Sequence, residues 1–160
     1  MNTPARFLPT LFDRLSDEAP HQPVEGRTQR LYSLADYTAS LVRDLETLVN
    51  TRQNMQPRSL DAFPQLRGSL LEYGLPDFTS KGLLNPEDRT QIRLQLKQAI
   101  ESGDRRFRQV RVQLLDSLPQ QRQLTFRVDA LLRLPETTRQ VSFDAVLQVN
   151  TQAYTVQNLN

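Results

Sequence analysis

After Gly103 the hydrophobic spacing of this chain switches from three-to-four residues to two, and that switch restricts the fold more than any other feature. Val110, Val112 and Leu114 alternate with Arg111 and Gln113. Leu124, Phe126, Val128, Ala130 and Leu132 alternate with Thr125, Arg127, Asp129 and Arg133, and Val141, Phe143, Ala145, Leu147 and Val149 alternate with Ser142, Asp144 and Gln148. A period of two places one row of side chains in a core and the other in water, so each run predicts a half-buried strand. The links around Pro119 and Pro135 are short, which favours antiparallel pairing. Leu131 and Val146 break the alternation as apolar residues on the outer face. A weaker fourth strand is expected over AYTVQ, 153–157.

Upstream of the switch the pattern is helical. Leu31, Leu34, Ala35, Thr38, Leu41, Val42, Leu45, Leu48 and Val49 form one wide apolar stripe and predict a helix over 31–49, with Asp36, Arg43, Asp44 and Glu46 off the stripe. Phe7, Leu8, Leu11, Phe12 and Leu15 suit a short amphipathic helix within 4–15. In NPEDRTQIRLQLKQAIESG, Asn85 suits an N-cap, Pro86 the first helical position, and Glu87 and Asp88 the positive end of the helix dipole, while Gly103 is a natural stop. Pro57, Pro64, Gly68, Gly74, Pro76 and Gly82 interrupt the intervening segment, in which LRGSLLEY can form a short helical turn. Gly74 is expected to supply an unusual backbone angle before Pro76 holds Leu75 extended. Helices first and strands afterwards give an α+β class, with N-terminal helices packed on an antiparallel sheet of three to four strands. Residues 1–28 read as an arm of short helix and Pro-rich loop, and 29–160 as the main domain.

Composition narrows the chemistry. The 160 residues include no cysteine, which excludes disulfides and thiolate metal sites. No stretch is long and apolar enough for a membrane span, and MNTPARFLPTLFDRL lacks the core of a signal peptide, so a cytoplasmic location is expected. His21, the single histidine, has no neighbour with which to form a catalytic pair or metal site. The glycines are too far apart for a phosphate-cradling loop. Glu101 and Asp104 are close in sequence but flank an exposed helix end, where no desolvated pocket is expected to raise a carboxyl pKa. Neither an enzyme nor a cofactor is expected.

Arginine supplies eighteen of the twenty basic residues, and four of them (Arg105, Arg106, Arg108, Arg111) fall within seven residues of ESGDRRFRQVRV, at a helix–strand joint. Such a joint can grip phosphates, dock a protein, or simply offset the negative end of the helix. The eighteen acidic residues are interspersed and the net charge is only +2, which argues against non-specific nucleic-acid binding. Few aromatics are placed for base stacking, and Phe126 and Phe143 lie on the apolar strand face.

LFDRL (11–15), SLVRDLETLVNTR (40–52), YGLPDF (73–78) and DRRFRQVRV (104–112) followed by LTFRVDALL resemble, in order and spacing, the TssE family of type VI secretion baseplate wedge proteins. That family is the counterpart of a small wedge protein of contractile phage tails, and the resemblance runs from Leu11 to Val156. Its hallmark is Glu-Pro-Arg, a hydrophobic residue, two variable residues and Val-x-Val. Here Asp104 matches the acid, Arg105 replaces the proline, Arg106 matches the arginine, Phe107 the apolar position, and Val110 and Val112 the valines. The resemblance implies a structural role. Asp104, Arg105, Arg106, Phe107 and Arg108 would dock other baseplate proteins, among them TssF, TssG and TssK, at an inner-membrane-docked baseplate, and the domain would help start the TssB–TssC sheath. The last strand, with Tyr154 and Val156 and neither charge nor proline between Ala153 and Gln157, is the expected open edge for strand addition, and proline at Thr155 is the expected way to block it. A peptidoglycan hydrolase, after the lysozyme-like label of phage relatives, and a small nucleic-acid-binding module are the alternative readings.

Overall fold

The computed structural model describes residues 7–15, 21, 31–53, 62–77, 85–115, 123–134, 137–148 and 150–160. Helices α1 (Leu11–Leu15), α2 (Leu34–Asn50) and α3 (Pro86–Gly103) precede strands β1 (Phe107–Leu115), β2 (Gln123–Arg133), β3 (Thr138–Gln148) and β4 (Tyr154–Gln157). The strands form one antiparallel sheet in the order β1-β2-β3-β4. The α+β expectation holds, with four strands. Val149, read as the end of the third run, lies outside the described residues. Among the described residues no helix is long and apolar enough to cross a membrane.

The chain divides into two compact units, Met1–Asp44 and Leu45–Asn160, with the boundary inside α2. In the first unit the short helix expected within 4–15 is, among the described residues, the five residues of α1; residues 4–6 lie outside the described residues. Phe7 instead exchanges backbone hydrogen bonds with Tyr32 and stacks on Tyr37 at 4.8 Å between ring centroids. The Phe7–Tyr32 bridge holds Tyr32 extended, so α2 begins three residues later than its apolar stripe. Ser33 caps it there: its hydroxyl accepts from the Asp36 N–H while the Asp36 carboxylate accepts from the Ser33 N–H. The apolar stripe of α1 is not buried, since Leu8, Leu11, Phe12 and Leu15 are all exposed. What holds α1 is polar. Asp13 accepts from the buried Ser40 hydroxyl at 2.5 Å and pairs with Arg43.

In the second unit Leu45, Leu48 and Val49 of α2, Ile92, Leu96 and Ile100 of α3, and the inward row of β2 (Leu124 to Leu132) are all buried. Asn85 caps α3, its side chain accepting from the Glu87 N–H at 3.0 Å, with Pro86 at the first turn. Gly74 takes the expected positive φ, +97°, and a side chain there would sit 2.3 Å from the Thr51 carbonyl oxygen. The close approach is needed because Leu75 donates to that carbonyl at 2.8 Å, beginning a short parallel bridge to the end of α2. Gly103 is the last residue of α3, as its sequence position suggests, and it also serves a packing purpose. A Cβ there would lie 2.4 Å from Leu48 Cδ1, so the glycine lets α3 approach α2, while the helix itself stops because Asp104 turns extended.

Candidate functional site

The joint between α3 and β1 is built around Asp104. Its backbone N–H closes the helix on the Ile100 carbonyl, and its carboxylate accepts from the Arg106 N–H at 2.9 Å. The same carboxylate receives the Arg106 guanidinium as a fork, Nε at 3.0 Å and Nη2 at 2.6 Å. The two side chains are 13% and 25% exposed, so this charge-assisted pair is partly withdrawn from water, where its geometry is best held. Arg106 therefore answers its neighbour Asp104. The Arg106 carbonyl accepts from the Arg133 N–H at 2.8 Å, fastening the joint to β2.

Phe107 needs correcting as a surface residue. It is fully buried and packs edge-on against Phe143 at 6.1 Å, so it anchors the joint from beneath. The strand begins at Phe107, three residues before the alternation in the sequence, because Gln109 adopts φ +52° and the register to β2 shifts between Arg108 and Arg111. This is a β-bulge: one extra residue lets Phe107 and Val110 both face the core while Arg108 and Arg111 both face out. Arg105 and Arg108 are exposed beside the Asp104–Arg106 pair.

The two carboxylates that flank the helix end are already engaged. Glu101 accepts from the Val110 N–H at 3.2 Å and lies 3.9 Å from the Lys97 ammonium, while Asp104 holds Arg106. On the outer sheet face Asp144 forms a fork with Arg127 directly opposite and accepts from Asn158 at 3.0 Å. The Arg127 hydrogen bonds hold its carboxyl below the usual carboxylate range, against the opposing effect of burial.

The β4 edge is not plain. Tyr154 and Val156 point their side chains into the core, 2% and 6% exposed. Their outward main-chain groups are held by α2 and the residues just after it. The Tyr154 N–H donates to Asn50 Oδ1 at 2.8 Å, and Asn50 Nδ2 returns a bond to the Tyr154 carbonyl at 2.9 Å. The Val156 N–H donates to Glu46 Oε1 at 2.8 Å, and Arg52 reaches the Gln152 carbonyl at 3.3 Å. Residues pointing outward alternate with residues bonded to the neighbouring strand. Thr155, opposite Val146, therefore faces β3, so proline at Thr155 strikes the β3–β4 ladder and not the outer edge. The β1 edge is treated alike: Glu101 takes the Val110 N–H and Arg93 donates to the Val112 carbonyl at 3.3 Å. Glu46 and Asn50 escaped sequence reasoning because polar residues off a helical stripe look merely solvated. Their four-residue spacing, which puts both on one helix face, was the available signal.

The joint, the α2 edge ligands and β1 with β2 all fall within one matched span: the family model for baseplate wedge protein gp25 covers residues 35–136. No curated protein and no solved structure matches the chain. The match spans more than half of the sequence and includes SLVRDLETLVNTR, YGLPDF and DRRFRQVRV with LTFRVDALL, though not LFDRL (11–15). The chain belongs to the baseplate wedge protein gp25 family.

Proposed function

We propose that this protein is a structural component of a type VI secretion baseplate, joining TssF and TssG in the wedge, with TssK nearby, and helping the TssB–TssC sheath to start. The observation that carries the reading is the Asp104–Arg106 fork. It presents a rigid pair of side chains at a joint where the family hallmark has an acid and an arginine in the same positions. Arg105 and Arg108 flank it in water, available to a partner. A baseplate on the cytoplasmic face of the inner membrane is the matching location. Sheath initiation by strand addition at β4 requires the incoming backbone to take over the groups now held by Asn50 and Glu46.

The test is Arg106→Ala and Asp104→Ala in the native cell, with co-purification of TssF and TssG and fluorescent sheath as readouts. Arginine anchors at interfaces can carry about 2 kcal/mol or more, so capture of TssF and TssG should fall at least tenfold while the purified variants stay folded. Normal capture and normal sheaths in both variants would overturn the reading.

A further inference from the structure

The outer face of the sheet continues the joint in a direction the sequence motif does not mark. Arg108, opposite Leu131, and Arg133, two residues further along β2, lie diagonally across the β1–β2 pair. Such diagonal neighbours stand about 7 Å apart. Leu131 is half-buried between Arg108 and Gln140, its cross-strand partners on β1 and β3, on a row of otherwise polar residues. Asp129 is next to Leu131 on the same row, on the side away from Arg133, and lies opposite Arg111, while Asp144 is held by Arg127 further along. Among the described residues Arg108 and Arg133 form no ion pair, and both are exposed. The arrangement is an apolar centre with two cations at its rim, beside the Asp104–Arg106 joint.

We propose that Arg108, Leu131 and Arg133 form a docking surface for an acidic protein segment, one whose apolar side chain covers Leu131 while two carboxylates about 7 Å apart meet the arginines. This rests on the joint being a baseplate contact. Carboxylates suit the site better than a phosphate backbone for two reasons. Leu131 offers a polyphosphate nothing, and a polyanion running on from Arg133 past Leu131 meets Asp129, whereas a segment with two carboxylates can end at Arg133 and Arg108.

The experiment places the photo-crosslinker p-benzoylphenylalanine at Leu131, and separately at Arg105, in the full chain in cells assembling the baseplate. Linked peptides are identified by mass spectrometry. The expected result is a link from position 131 to a baseplate protein, at a segment with two or more Asp or Glu within four residues of the linked site. Arg133→Glu, or Arg133→Gln should the first variant not fold, should reduce that link at least fivefold and leave the link from position 105. No link from 131 alongside a clear one from 105 overturns this surface and leaves the baseplate role standing, as does a link to a segment without acids or to nucleic acid. No baseplate link from either position overturns both.

Discussion

Asn50 holds the β4 edge through two hydrogen bonds to one residue, and its removal has an effect that can be worked out. Asn50→Ala strips the Tyr154 N–H and carbonyl of their 2.8 Å and 2.9 Å partners. A hydrogen bond of this kind contributes about 0.5–1.5 kcal/mol net, and because Asn50 is itself exposed, water replaces part of it; about 1–2 kcal/mol is the sum for the two. Alanine opposes the loss as the better helix former, by at most about 0.7 kcal/mol and less at a helix end. A net loss of about 1 kcal/mol follows, which lowers the melting temperature by about 2–4 °C in a chain of this size. Thermal unfolding measures that, and amide exchange identifies its origin. The Tyr154 amide should exchange faster while the Thr155 amide, inside the β3–β4 ladder, changes only as global stability changes. An unchanged midpoint together with unchanged Tyr154 exchange would refute the edge-holding role.

Leu45→Ala, at a side chain with no exposure, should cost about 2–5 kcal/mol in urea unfolding; a near-wild-type midpoint would show that this face of α2 is not core. Asp144 gives a pH signature. Its folded carboxyl titrates below its unfolded value, so its contribution is fully present above the ordinary carboxylate range and is lost as pH falls through the folded value. Asp144→Asn should therefore make the acid limb of the stability profile shallower, and parallel limbs for variant and wild type would contradict the Arg127 pairing.

The strands from Phe107 onward were the most legible part of the sequence, because a half-buried sheet writes its two faces into alternate residues. The alternation fails where the backbone changes it. The extra residue at Gln109 breaks the count, so the first strand looked three residues shorter than it is. The α1 stripe misled for the opposite reason: its spacing is helical, but Leu11, Phe12 and Leu15 stay exposed while Asp13 makes the attachment. At the joint, the acid and arginine were readable as a pair by resemblance, whereas the depth of Phe107 was not, since a bulge decides which of its neighbours face inward. The edge ligands Glu46 and Asn50 were hidden because their partners are more than one hundred residues away in sequence and are backbone groups, which carry no residue-type signal.

In the docking proposed for the joint, the Asp104–Arg106 fork would divide the work of encounter between two kinds of arginine. A paired acid and base sum to zero charge, so from beyond a Debye length, about 8 Å at physiological salt, the fork exerts little pull. Arg105 and Arg108, exposed on either side of it, would in the proposed docking supply the field that draws an approaching anionic surface and raises its on-rate. In the proposed docking the fork would act only at contact, where its fixed geometry would accept one orientation and reject others. Added salt should then slow capture without altering the pose of what is captured, and substitutions in the fork should shorten the lifetime of a complex more than they delay its formation.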